Sequence, residues 1–380
     1  MLSYADWNEY ADLLAEGFAG RGLGPDDVIA VRCRNRLEWA VIALAAAKID
    51  APLLSLDPDL PARALRDRLI AGRASAIIIG DTDPGAISSA LDGISFRLRA
   101  SMDTARPGFF NFWDLFPPAA PARFGSPQPS LIAWSAGRLG QAQAIAIPRR
   151  RAAPASVSRP PPLETGVTLI TVPFYRTWGT TQFWAALGAG RAVAMMRAFD
   201  PMQALAAVER RRITHWAAWP ETFQQVVALP RDAIAAVNRS SLRELTVGGA
   251  MASWALKTRI VAAFGPILSE AYGSTEAGVI ALMPADRQHE KPGSCGRPIR
   301  GVMIEIRDAS GRKLPADSIG QVWARTPRSV ECMLLGRRSH GHRDSEGFIA
   351  TGDAGRMDDD GFLYLSSRAC LPPPDVRRAG

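Results

Sequence analysis

The chain has 380 residues, 47% hydrophobic and 22% charged, which is long enough for more than one compact core and excludes a peptide-sized module, a fibrous chain or wholesale disorder. The 45 basic and 37 acidic residues give a net charge of +8, yet only four of the basic residues (Lys48, Lys257, Lys291 and Lys313) are lysine. The arginines are spread along the sequence with no run longer than three, as at Arg149 to Arg151, so solvated arginine-rich faces are favoured over a nucleic-acid surface.

Trp7, Tyr10, Leu14 and Phe18 recur at helical spacing and stop at Gly20 and Gly22. The chain then alternates between apolar runs at Val28 to Cys33, Ala51 to Leu56 and Ala76 to Ile79 and helical patterns at Leu37 to Lys48 and Leu60 to Gly72. Strands and helices alternating at this interval predict a parallel sheet covered by helices. From Asp81 to Pro129 the pattern weakens into a proline-marked connection. Short runs at Leu131 to Trp134 and Ala144 to Ile147 flank a glycine-bearing loop, and Pro148 to Pro162 reads as a mobile arginine- and proline-rich loop.

A second alternating stretch follows, with strands at Thr168 to Phe174, Ala192 to Met196, Thr214 to Trp219 and Glu244 to Val247. Helices at Gln182 to Gly190, Pro201 to Arg211 and Pro220 to Leu229 separate them. Beyond about Lys291 the runs shorten (Val302 to Arg307, Gln321 to Arg325, Gly347 to Ala350, Phe362 to Leu365) between Asp, Gly and Pro turns, the texture of a small antiparallel sheet. The four cysteines lie far apart, arguing for free thiols in a reducing compartment and against a zinc site. Neither a signal peptide at Met1 to Asp6 nor a spanning apolar stretch is evident, so the expectation is a cytoplasmic protein with no membrane and no nucleic-acid partner.

Three stretches carry chemistry. Tyr272-Gly273-Ser274-Thr275-Glu276-Ala277-Gly278 follows an apolar run at Pro266 to Leu268, at a strand end, where open α/β sheets bind ligands. Its ring, hydroxyls and carboxylate suit a base, a phosphate and Mg²⁺. Gly248-Gly249-Ala250 lets a flat ring approach the backbone, and Thr351-Gly352-Asp353 offers a carboxylate to two ribose hydroxyls.

In this order the three stretches resemble the adenylate-forming superfamily of acyl-CoA synthetases, peptide-synthetase adenylation domains and luciferases. Leu2-Ser3-Tyr4, Leu56-Asp57-Pro58, Pro173-Phe174-Tyr175, Lys291-Pro292-Gly293-Ser294, Gly296-Arg297-Pro298 and Asp360-Gly361-Phe362-Leu363-Tyr364 resemble further landmarks. The resemblance implies an α/β fold of two parallel-rich sheets sandwiched by helices with a small C-terminal antiparallel β subdomain. The core would span 1–290, divided around 130–165; the β subdomain would span 291–368, and 369–380 would be a tail at the family's hinge.

By the same resemblance ATP or AMP and Mg²⁺ are bound and coenzyme A is a further cosubstrate. Tyr272 and Gly273 contact the nucleotide, the Tyr272 ring packing on adenine; Thr275 holds the α-phosphate and Glu276 the Mg²⁺. Gly249 and Ala250 form the adenine wall, Asp353 and Arg368 bind ribose, and Trp178, Phe183 and Trp219 are candidates for the acyl pocket. Aromatic walls would suit an aryl or medium acyl carboxylate.

Departures are equally specific. The phosphate loop, hydroxyl-rich and lysine-bearing in the family, here contains Ser135, Gly137, Arg138 and Gly140, with Gln143 at the lysine position; one lost charged hydrogen bond is worth roughly 1.5–3 kcal/mol. Arg138 is one possible substitute for that charge. Arg176 stands where the family has histidine, and Gln321 where it has glutamate. Set against the resemblance, the expectation is that the family's mobile C-terminal domain and its lysine are missing, with no lysine after Lys313, a deficit of roughly 2.7–4 kcal/mol if that lysine acts as one oxyanion donor. The favoured reading is a carboxylate-activating, AMP-forming ligase core, impaired or completed by a separate C-terminal domain. The alternative is an inactive adenylate- or acyl-binding pseudoenzyme.

Overall fold

The computed structural model describes residues 1–81, 84–103, 107–118, 130–134, 144–147, 165–326, 333–334 and 343–366. Ser135, Gly137, Arg138, Gly140 and Arg368, with the 369–380 tail and the Pro148 to Pro162 loop, lie outside the described residues.

The chain folds into three sheets. The first has eight strands in the order Met333–Leu334, Ala144–Ile147, Leu131–Trp134, Leu53–Leu56, Val28–Arg32, Ala74–Ile79, Leu98–Ser101 and Phe110–Asn111. Its strands from Leu131–Trp134 to Phe110–Asn111 are parallel, and Val28–Arg32 is buried at every residue, as expected for a strand covered on both faces. The second sheet runs Arg297–Pro298, Gly278–Met283, Leu268–Ser274, Glu244–Gly248, His215–Ala218, Val167–Ile170 and Ala192–Met195, parallel from Leu268–Ser274 onward. The third is antiparallel: Met303–Arg307, Gly320–Arg325, Ile349–Met357 and Leu363–Ser366. The α/β architecture with two parallel-rich sheets and a small antiparallel one is therefore as the sequence indicated.

Local chemistry starts and seats the elements. Ser3 caps the helix Tyr4–Ala19 in a reciprocal box with Asp6, satisfying amides that the first turn leaves unpaired. The helix docks on the almost wholly buried helix Leu37–Lys48, with Trp7 Nε1 donating to the Ala40 carbonyl at 2.9 Å.

Two contacts join the parallel sheets. Phe183 packs edge-on to Trp39 and Phe174 at 5.3 and 5.2 Å, while Trp39 and Phe174 stack at 4.4 Å. Beside them buried Asn35, just past the first sheet's Val28–Arg32 strand, donates Nδ2 to the Val172 carbonyl at 3.0 Å, and its Oδ1 accepts the Phe174 amide at 2.8 Å. The amide thereby stands in for backbone pairing where the second sheet's strand has ended.

Several elements depart from the expected pattern. Leu98–Ser101 and Phe110–Asn111 extend the first sheet within the stretch that read as a meander; four and two residues are too few to display a period. Helix Trp254–Phe264, capped by Ser253, and strand Gly278–Met283 had no expected counterpart. The Tyr272 stretch does not follow a strand at Pro266 to Leu268: Leu268–Ser274 is itself the strand, turning through Thr275 to Ala277 into Gly278–Met283.

Replacing Asn35 by Ala leaves the Phe174 amide and the Val172 carbonyl buried without this partner. Urea denaturation of Asn35→Ala should show a loss of about 2–4 kcal/mol, the cost of two orphaned groups, and a loss under about 0.5 kcal/mol would remove Asn35 as a joint between the sheets.

Candidate active site

Because Val167–Ile170, His215–Ala218, Glu244–Gly248 and Leu268–Ser274 are parallel, their carboxyl ends share one edge. The residues beyond those ends come together there: Thr177 after the first, Trp219 after the second, Gly249 and Ala250 after the third, Thr275 and Glu276 after the fourth. This is the crevice where open parallel sheets take ligands.

Gly249 has φ of +79°, and a Cβ there would lie 2.9 Å from Trp219 Nε1 and 3.2 Å from Trp178 Cβ. Glycine is thus demanded by both backbone conformation and the two indoles that wall this loop. Gly249 and Ala250 are exposed, so the loop presents its backbone outward. At Gly273 a Cβ would come within 2.2 Å of the Gly278 carbonyl, so glycine permits the tight hairpin that carries Thr275 and Glu276. Ser274 Oγ accepts the Ala277 amide at 3.0 Å and pins the turn. The Thr275 hydroxyl lies 3.4 Å from that of Thr177, and both Thr275 and Glu276 are half-buried.

The third sheet supplies Asp353, whose Oδ2 accepts the Tyr272 phenol at 2.9 Å. Two motifs 81 residues apart in sequence thereby meet. Burial first, and then the negative charge of Asp353, push the Tyr272 pKa well above 10, so the phenol stays a donor throughout the physiological range.

Behind the crevice is an ion pair that the sequence reading passed over. Lys257, on helix Trp254–Phe264, is 2% exposed and donates Nζ to Glu270 and, at 2.9 Å, to the Ser294 carbonyl. Glu270 lies two residues before Tyr272 on the same strand and also accepts the Ala252 amide from the glycine loop. Burial raises its pKa, opposed by the charge and hydrogen bond of Lys257. The scarcity of lysine was the available signal, because Lys257 is one of only four. Ser294 continues the link by donating Oγ to the Leu363 carbonyl at 2.8 Å, while Lys291 pairs with Asp358 at 2.9 Å and Asp360 at 2.5 Å.

Among the expected pocket residues, Trp178 and Trp219 border the crevice, with Trp178 Nε1 donating to the Ala218 carbonyl at 3.4 Å. Phe183 is instead 2% exposed among Trp7, Trp39, Phe174 and Trp184 in the joint between the sheets. Cys295 is buried and its thiol pKa is pushed up by burial, which makes it a packing residue and not a nucleophile.

Among the described residues no group of three or more His, Cys, Asp or Glu could hold a metal by itself. One carboxylate at the turn, Glu276, nonetheless fits Mg²⁺, which commonly takes one or two protein carboxylates and completes its shell with phosphate oxygens and water. No helix among the described residues is long and apolar enough to cross a membrane.

With this geometry the chain belongs to the AMP-binding enzyme family, whose model matches residues 1–334. It is similar to indoleacetate–CoA ligase of Aromatoleum aromaticum, 26% identical over 378 residues that cover 97% of this chain and 73% of that one. It is likewise similar to 4-coumarate–CoA ligase 1 of Oryza sativa subsp. japonica, 26% identical over 397 residues covering 97% and 70%. Among solved structures the amide bond synthetase McbA from Marinactinospora thermotolerans superposes with a TM-score of 0.85 at 26% identity, over 97% of this chain and 75% of that chain.

Two measurements probe this site. Lys257→Met strands a buried carboxylate and should cost about 3–5 kcal/mol in chemical denaturation; Lys257→Met with Glu270→Gln, which removes the stranded charge, should recover more than half. For Tyr272, the native state keeps a proton that the unfolded chain releases above about pH 10, so its contribution to stability falls as pH rises past that value. Tyr272→Phe should therefore lose less stability than the parent between about pH 9.5 and 11, and equal losses would mean that the phenol is not shifted.

Proposed function

We propose that the chain activates a carboxylate by adenylation: the acid and ATP give an acyl-adenylate and pyrophosphate. The observation that carries this reading is the convergence of Tyr272, Thr275 and Glu276 on one hairpin with Asp353 bonded to Tyr272. A ring for the base, a carboxylate for the ribose, a hydroxyl for the α-phosphate and a carboxylate for the metal are thereby gathered at one strand end.

In this reading Asp353 retains acceptor capacity for ribose hydroxyls beyond its bond to Tyr272. The Gly249–Ala250 backbone and the Tyr272 ring bound the adenine, and Arg368 adds a second ribose contact. The Thr275 hydroxyl holds an α-phosphate oxygen. The substrate carboxylate oxygen then attacks the α-phosphorus in line as the bond to the bridging oxygen of the β-phosphate breaks, and that oxygen departs on pyrophosphate. Mg²⁺, held by Glu276 and the phosphates, supplies charge neutralisation when bound. The protein contributes position and electrostatics without a covalent intermediate.

Trp178 and Trp219 border the acyl end, which favours an aryl or medium acyl acid; two relatives, indoleacetate–CoA ligase and 4-coumarate–CoA ligase, are named for aryl-bearing acids. An acceptor thiol such as coenzyme A would then take the acyl group. The contribution that the family draws from a further C-terminal domain would be made by a domain outside these residues. The lysine-free phosphate loop, Ser135 to Ala144, favours a second reading, a pseudoenzyme that binds adenylate without turnover.

ATP–pyrophosphate exchange across a panel of aryl and medium-chain acids, with a family C-terminal domain added in trans, separates the two readings. Exchange that Glu276→Ala reduces at least about a hundredfold, the scale of one transition-state electrostatic contact, supports adenylation. AMP binding by calorimetry without exchange under any condition would leave the binding protein.

A further inference from the structure

Two arginines approach the crevice from opposite sheets. Arg68 is on helix Ala62–Ala71, which covers the first sheet; it is half-buried, and its guanidinium stacks over Trp134 at 5.0 Å. Trp134 ends the strand that leads into the lysine-free loop. Arg176 immediately precedes helix Thr177–Gly188 on the second sheet, with its guanidinium 5.9 Å from the Trp219 ring centre and 5.7 Å from that of Tyr175. The next residue, Thr177, is the one whose hydroxyl lies 3.4 Å from Thr275.

The charge of Arg176 acts on Arg68. Burial first, and then the charge of Arg176, lower the Arg68 pKa, with Asp57 acting in the opposite sense. Among the described residues neither arginine forms an ion pair with a carboxylate, although Arg34, Arg36, Arg197 and Arg307 each do. Stacking on indole fixes a planar guanidinium and leaves its N–H edge available, the arrangement that takes phosphate oxygens in pairs. A like-charged pair with one member half-buried is unfavourable until an anion joins it.

Position identifies the anion. Contacts run from Asp353 through Tyr272 and along the strand end to Thr275, then to Thr177 and Arg176. Arg176 therefore lies beyond Thr275 as counted from Asp353, and its charge reaches Arg68. We infer that Arg68 and Arg176, one from each parallel sheet, bind the β- and γ-phosphates of ATP and the departing pyrophosphate, replacing the charge of a phosphate-loop lysine. The inference rests on the adenylation reading.

The test is calorimetric titration of the full chain, in magnesium-containing buffer, with AMP, ATP and inorganic pyrophosphate separately. The proteins are the parent, Arg68→Gln, Arg176→Gln, the double variant, and the charge-retaining Arg68→Lys and Arg176→Lys. Thermal melts verify folding, and the lysine variants replace any glutamine variant that fails to fold. Expected is an AMP affinity within about twofold of the parent, with ATP and pyrophosphate each weakened about tenfold or more per glutamine substitution and partly restored by lysine. Equal ATP-to-AMP affinity ratios in parent and variants would overturn the assignment. If the parent binds pyrophosphate but not AMP and the glutamine variants lose that binding, the arginine site stands and the adenylation reading fails. If the parent binds none of the three, both fall.

Discussion

The buried contact between Lys257 and Glu270 is the constraint on which the site depends. Lys257 reaches Ser294, Ser294 reaches Leu363, and the Leu363–Ser366 strand pairs with the strand that carries Asp353. Asp353 is bonded to Tyr272, which shares its strand with Glu270, and Glu270 returns to Lys257. This closed circuit ties the glycine loop, the hairpin and the third sheet to one another. Two charges in an apolar interior tolerate little displacement, since separation would expose each to the full cost of burial. The pair therefore acts less as a source of stability than as a fixed point for the geometry in front of it.

The second organising feature is the joint between the parallel sheets. Trp39, Phe174 and Phe183 interlock as an apolar block, and Asn35 satisfies backbone groups that neither sheet can pair. The same junction explains the separate fates of the aromatic residues after Pro173. Phe183 turns into the joint, while Trp178, at the start of the same helix, lies against the glycine loop. Rings of similar character thus divide between packing and the crevice wall according to which turn of the helix they occupy.

Arginine-rich composition acquires a structural sense here. Most described arginines with identified partners pair with carboxylates or stack on rings, as Arg307 does with Glu305, Asp344, Trp323 and Phe348. A planar guanidinium stacks face-on against a ring while its N–H edge stays free to pair. The few lysines are consequently informative: Lys257 and Lys291 both hold landmarks around the site, at Glu270 and at Asp358 and Asp360.

The sequence by itself determined the α/β class, the alternation of strands and helices, the antiparallel texture after about residue 291, and the three motifs built on Tyr272, Gly249 and Asp353. Periodicity and short local motifs are carried by neighbouring residues, so they survive in one dimension. It missed the Leu98–Ser101 and Phe110–Asn111 strands, because short segments at a sheet edge show no period, and the Trp254–Phe264 helix. It placed Tyr272 after a strand when Tyr272 lies on one. Only the tertiary structure decided that Tyr272 bonds Asp353, that Phe183 belongs to the joint, that Lys257 and Glu270 neutralise each other behind the crevice, and that Arg68 lies over Trp134 and Arg176 over Trp219. Each depends on distances between segments far apart in the chain, and the packing of three sheets sets those distances.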